Sequence, residues 1–162
     1  MNFKKKDLLV LSFIVMAVVL RLIPHLPNVT PVTAMALFGG AYFSNRYAAM
    51  VLPLIVMILS DIFLGFSWIT FFVYASLISV SSIGLFYKKI SFKTILMGSL
   101  SFFIITNFGV WLLGYPKTWT GLAECYTLAL PFFRNSLIGD FVYSGLLLCG
   151  YQFAYRHLLK EA

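Results

Sequence analysis

Four polar side chains stand inside or at the ends of long apolar runs and have chemistry to offer there: Arg21, Asp61, Asn107 and Asp140. A charge inside a bilayer is costly unless it is paired or solvated, so such groups either lock helices together or line a path or pocket. Two readings follow. In the first, Arg21 pairs with Asp61 or Asp140 and Asn107 bonds a neighbouring backbone, so the set holds the bundle together. In the second, these groups meet in one cavity and bind a polar ligand. Asp140 lies six residues past Arg134, about 9 Å deep by helical rise, while Asp61 and Asn107 lie about one and two turns from their helix ends. This places all four in the same half of the bundle.

Catalysis fits these residue types poorly. His25 and His157 fall on opposite sides of the membrane, so no histidine cluster can bind a metal or serve a paired mechanism. Asp61 and Asp140 lack the flanking glycines of intramembrane aspartyl proteases and are read as pocket or packing groups. No glycine-rich loop cradles phosphate. The chain is therefore read as a non-enzyme without a cofactor, and any uphill movement would draw on an ion gradient or another subunit. Cys125 and Cys149 differ in predicted depth, which argues against a disulfide. A lone Cys125 is weak support for a soft metal centre.

The elements that must position these groups are read as six apolar runs: Asp7 to Ile23, Pro31 to Ser44, Tyr47 to Leu64, Trp68 to Tyr87, Lys93 to Leu113 and Arg134 to Tyr155. With 61% hydrophobic and 10% charged residues over 162 positions, these runs exceed what a soluble core of this size can hide. The expectation is an all-α membrane protein: a single domain over residues 1–162, with six transmembrane helices. The second run is too short to span unaided and is expected to tilt or sit behind its neighbours. Thr30 is a candidate cap for it, with Pro31 at its first position. Gly65 and Gly114 are read as helix ends, and Pro53 as a bend.

Nine of the 12 Lys and Arg residues fall at the amino end, in alternate connections or at the carboxyl end: Lys4, Lys5, Lys6, Arg46, Lys88, Lys89, Lys93, Arg156 and Lys160. Only Arg21, Lys117 and Arg134 face the other side. The positive-inside rule then puts both termini in the cytoplasm, with the chain multi-pass in the inner membrane. The cations flank helices and form no basic patch, which argues against nucleic acid as a partner. The amino end imitates a secretory signal ahead of Ala34 and Ala36, but Arg21 and three prolines intervene, and the first helix is read as retained. Asn28-Val29-Thr30 matches a glycosylation sequon and, followed directly by Pro31, is given no weight.

The connections on the sparsely charged side add to the pocket reading. One runs from His25 to Thr30 and includes Asn28. The other, from Tyr115 to Phe133, is apolar and aromatic and would suit a lid. Trp111, Trp119 and Tyr126 are read as an aromatic wall, against the plainer reading of the tryptophans as an interfacial belt. Small residues gather from Ala34 to Ala49, with Ala36 and Gly40 forming a small-x-x-x-small pair suited to close helix contact.

The strings PNVTPVTAMALFGGAYF (Pro27 to Phe43), SDIFLGF (Ser60 to Phe66), NFGVWLLGYP (Asn107 to Pro116) and PFFRNSLIGD (Pro131 to Asp140) resemble a bacterial six-helix membrane family regarded as S-component-like. The chain as a whole resembles the S-components of energy-coupling factor (ECF) micronutrient transporters. That resemblance implies capture of a vitamin or other small molecule, with a transmembrane coupling subunit and ATPases as partners beside the lipid bilayer. One departure is plain: S-components commonly carry Ala-x-x-x-Ala on helix one, and here that helix has only Ala17. The small-residue face of helices two and three is a candidate substitute. A solitary S-component-like cobalamin carrier family offers an outer-loop cysteine, and Cys125 lies in a different loop.

The resulting expectation is a substrate-binding transporter subunit with Arg21, Asn28, Asp61, Asn107, Trp111, Trp119, Tyr126 and Asp140 at its site. Asp140→Asn or Arg21→Ala is expected to abolish binding while the protein still folds. A proton-coupled carrier and a non-transporting structural subunit are the competing readings.

Overall fold

The computed structural model describes residues 5–22 and 28–159, with side chains to residue 157. His25, Lys4 and Lys160 lie outside the described residues. Six helices follow one another: α1 (Lys5–Leu22), α2 (Val32–Tyr42), α3 (Arg46–Leu64), α4 (Trp68–Tyr87), α5 (Phe92–Gly114) and α6 (Trp119–Leu159). The chain is all-α, and no strand forms among the described residues. Among those residues, α3 to α6 are each long and apolar enough to cross a membrane. The 18 residues of α1 include Lys5, Lys6, Asp7 and Arg21, and α2 is a shorter apolar helix.

Short polar caps set where the helices begin. The Asn45 carboxamide oxygen accepts from the Tyr47 and Ala48 amides at 2.8 and 3.3 Å, satisfying two donors that α3 leaves open. Thr70 and Thr94 reach back to the Ser67 and Ser91 amides at 3.0 and 2.8 Å, starting α4 and α5. Gly65, at φ 92°, ends α3 where a side chain would be strained. At α2 the cap differs from expectation: Pro31 holds that place, its carbonyl accepting from the Met35 amide at 2.8 Å, and Thr30 supplies no side-chain cap. The ring fixes φ close to helical values, so the proline itself makes the turn into the helix. Asn45→Ala is expected to lower stability by about 1 kcal/mol, read as a thermal-unfolding shift in detergent, with Asn45→Asp retaining the native value.

The short second helix sits behind its neighbours, as its length required. It touches every other helix, and ten of its 11 residues are buried, from Val32 to Ala41. A helix that is apolar on all sides has this as its stable position. The small residues serve it there: Gly39 meets Pro53 of α3, and Gly40 packs against the Ser81 to Gly84 backbone of α4. Ala48 and Ala49 are buried as well. The small-residue face is therefore spent inside the bundle and is not a free docking surface.

Residues 119–133, expected as part of a loop, are helical and continuous with the last span. At 41 residues α6 is about 60 Å long, roughly twice the hydrocarbon thickness. Pro131 lies inside it, where it forfeits one backbone bond without ending the helix. The described cations Lys5, Lys6, Arg46, Lys88, Lys89, Lys93 and Arg156 all stand at or next to helix ends that alternate along the chain, which collects them at one end of the bundle.

A cavity between three helices with a buried carboxylate at its floor

Helical periodicity builds the site. On α5, Ser99, Phe102, Phe103, Thr106, Asn107 and Val110 recur at spacings of three and four and so share one face. On α6 the same spacing aligns Cys125, Leu128, Ala129, Phe132, Phe133, Ser136 and Asp140. The two helices run antiparallel: Ser99 meets Asp140, the Phe103 and Phe133 rings lie 4.6 Å apart, and the Cys125 thiol approaches the Asn107 carbonyl. Ile69 and Val73 of α4 close one side and Asn28 closes another, leaving a cavity of about 510 Å³.

Asp140 marks the floor. It is 3% exposed, receives a 2.6 Å hydrogen bond from the Ser99 hydroxyl and also bonds the Thr33 side chain at the start of α2. Gly139 makes room for this. A Cβ there would lie 3.2 Å from the Val29 Cα, so glycine lets residues 28–30 close against α6 beside the carboxylate. Asn28 accordingly adopts φ 63°, a left-handed conformation that asparagine tolerates better than most residues.

The depth of Asp140 differs from expectation. Its partner Ser99 is fifteen residues from Gly114 and seven from Phe92, so the carboxylate lies about 22 Å along α5 from the sparsely charged end. It falls past the midpoint of α5. The reason is that α6 begins at Trp119, so Arg134 does not mark the helix entrance from which depth was counted.

Of the eight residues expected at a site, Asn28, Asn107 and Asp140 line this cavity. Arg21 and Asp61 do not. They form an ion pair of 2.7 Å, supported by hydrogen bonds from Arg21 to the Ser60 hydroxyl and from the Tyr74 hydroxyl to Asp61 at 2.7 Å. This ties α1, α3 and α4 together, which is the structural reading for that pair. Trp111 donates its indole N–H to the Pro116 carbonyl at 3.0 Å, and the Lys117 ammonium bonds the Trp111 and Tyr115 carbonyls. Trp119 and Tyr126 line a separate apolar hollow with Phe108, and the Tyr126 hydroxyl is used on the Ile104 carbonyl. The aromatic wall is instead made of Phe102, Phe103, Phe132 and Phe133.

Two of the cavity's polar side chains are turned back on their own helix: Asn107 donates to the Phe103 carbonyl and Thr106 to the Phe102 carbonyl, both at 2.8 Å. The polar residues missed by inspection of single positions are Ser99, Thr106 and Ser136. The signal that could have found them is the three-and-four spacing they share with Asn107 and Asp140. Among the described residues no group of three His, Cys, Asp or Glu gathers as a metal site, and both cysteines are free thiols.

Residues 1–161 match a family model described as a family of unknown function (DUF6580). The chain belongs to the DUF6580 family. No curated protein and no solved structure matches it. Family membership covers nearly the whole chain, so the cavity and the Arg21 to Asp61 pair both lie within the matched region.

Proposed function

We propose that this DUF6580 protein is a small-molecule-binding membrane subunit for uptake, of the S-component type that its sequence resembles. The observation that carries the reading is the cavity of about 510 Å³ between α4, α5 and α6, which is largely apolar and aromatic and ends on buried Asp140. A concave, mostly apolar space with a few converging polar groups is the usual form of a small-molecule site, and its volume suits a vitamin-sized ligand. In this reading the termini lie in the cytoplasm and the mouth of the cavity outside, in a bacterial inner membrane, and the sorting of cations supports that orientation. Residues 119–130 then serve as a helical cover, and release follows reorientation of the bundle. Partners of ECF type, a coupling subunit and ATPases, are proposed from the resemblance alone. With the small-residue face buried, they would dock on another surface.

The test is native mass spectrometry of protein purified in detergent from rich medium, with identification of any released molecule. A stoichiometric small molecule is expected. Its absence across several media, in protein with an intact fold, would overturn the reading in favour of a structural subunit.

A second reading is favoured by one observation: the Asp140 carboxylate is held by hydroxyls in a buried setting, which suits a proton site in a secondary carrier. Uptake by the protein alone in liposomes, driven by a proton gradient without ATP, would select that reading.

A further inference from the structure

We propose that the cavity selects a cationic ligand: a small molecule with a protonated nitrogen that pairs with Asp140 and an apolar or aromatic body that packs on Phe102, Phe103, Phe132 and Phe133. This rests on the binding-subunit reading above and adds the charge of the ligand to it.

Among the described residues lining the cavity, Asp140 is the only one that carries a formal charge as an ordinary side chain; the rest are apolar, aromatic, hydroxyl, thiol or carboxamide groups. No described cation lines the cavity, and Arg134, six residues from Asp140 on α6, is exposed outside it. Arg21 is held by Asp61 and Ser60, and Lys117 is bound to the Trp111 and Tyr115 carbonyls. The hydroxyl of Ser99 and the side chain of Thr33 orient the Asp140 carboxyl and bring no positive charge to it. An ammonium arriving at the floor gains a charge-assisted hydrogen bond in a setting with little water to screen it. A carboxylate or phosphate arriving there meets a like charge instead, and placement of like charges together is a strong discriminator.

The shape agrees. The carboxylate lies at the end of a cavity whose walls include four phenylalanines, so a ligand that reaches it with a polar head must leave its body against rings. Those faces favour an aromatic or aliphatic body, and they also tolerate a cation that rides over them on the way in.

The test uses full-length protein in a non-ionic detergent and three probes with a common indole body: tryptamine, tryptophol and indole-3-propionate. Equilibrium dialysis near neutral pH is expected to show tryptamine binding at least about tenfold tighter than tryptophol, with indole-3-propionate weakest. Asp140→Asn is expected to erase the difference between tryptamine and tryptophol. If that variant does not fold, Ala129→Phe, which fills the cavity from α6, is expected to weaken all three probes and so places the site. Equal binding of the three probes, preference for the carboxylate, or a tryptamine preference that persists in folded Asp140→Asn would overturn the inference and leave the binding-subunit reading standing. Saturable binding of none of them would overturn the inference as well. The binding-subunit reading falls with it only if native mass spectrometry also finds no ligand.

Discussion

Asp61→Ala is expected to lower stability by about 3–5 kcal/mol, the cost of leaving a partner charge unpaired in a buried setting. The Asp61 side chain is 4% exposed and that of Arg21 17%, so the arginine could not recover its hydration without displacing α1. The same substitution removes the acceptor for the Tyr74 hydroxyl and therefore loosens α4 along with α1 and α3. The double variant Arg21→Leu with Asp61→Leu is expected to recover most of this loss, because it removes both charges and fills the space. Chemical denaturation in micelles measures both. A single variant no less stable than the double would remove the case for a buried pair. Arg21→Ala is expected to destabilise the fold while the folded fraction keeps its cavity, contrary to the binding loss that the sequence alone suggested, because Arg21 does not line that cavity.

A single methyl group at Gly40 is expected to cost about 3 kcal/mol or more. Its Cβ would lie 2.1 Å from the Ser81 carbonyl oxygen and 3.1 Å from the Gly84 Cα. On the facing helix, a Cβ at Gly84 would lie 2.4 Å from the Leu37 carbonyl oxygen. These neighbours are backbone and cannot swing aside, so Gly40→Ala must push α2 away from α4. That displacement opens the centre of the bundle, since α2 touches all the other helices. Gly145→Ala is the matched control. Nothing lies within 4 Å of its Cβ, and an alanine in a helix interior is expected to be neutral or to stabilise by up to about 1 kcal/mol. Thermal unfolding of the two variants side by side in detergent separates a contact effect from helix propensity. Similar melting points would show that the approach of α2 to α4 carries little stability.

Much of the fold was legible because it depends on local properties. Apolar runs of a given length predict helices, and the run from Pro31 to Ser44, too short to span unaided, predicts a helix that tilts or sits behind its neighbours. The Ala36 and Gly40 pair announced close packing, yet nothing local said that its partner would be Gly84, a lone glycine in an apolar helix. The connection expected from Tyr115 to Phe133, whose apolar and aromatic composition suits a lid, is helical from Trp119 onward, and Pro131 lies inside that helix. A proline can remain in a helix when neighbouring packing compensates the lost bond, and that compensation is tertiary.

The site divides along the same line. Residue type and sparse polarity were enough to single out Arg21, Asp61, Asn107 and Asp140, and charge sorting along the chain was enough to separate two ends of the bundle. Which acid Arg21 meets, how deep Asp140 lies and which rings face it were decided only when the helices packed. Pairing across some 40 residues depends on the register of one helix against another, and that register comes from backbone contacts such as Gly40 on Ser81 and Gly139 on Val29. Composition and periodicity act within a helix and determine which face is apolar. They carry no measure of how far one helix slides along its neighbour, and that slide is what separates Arg21 and Asp61 from Asp140.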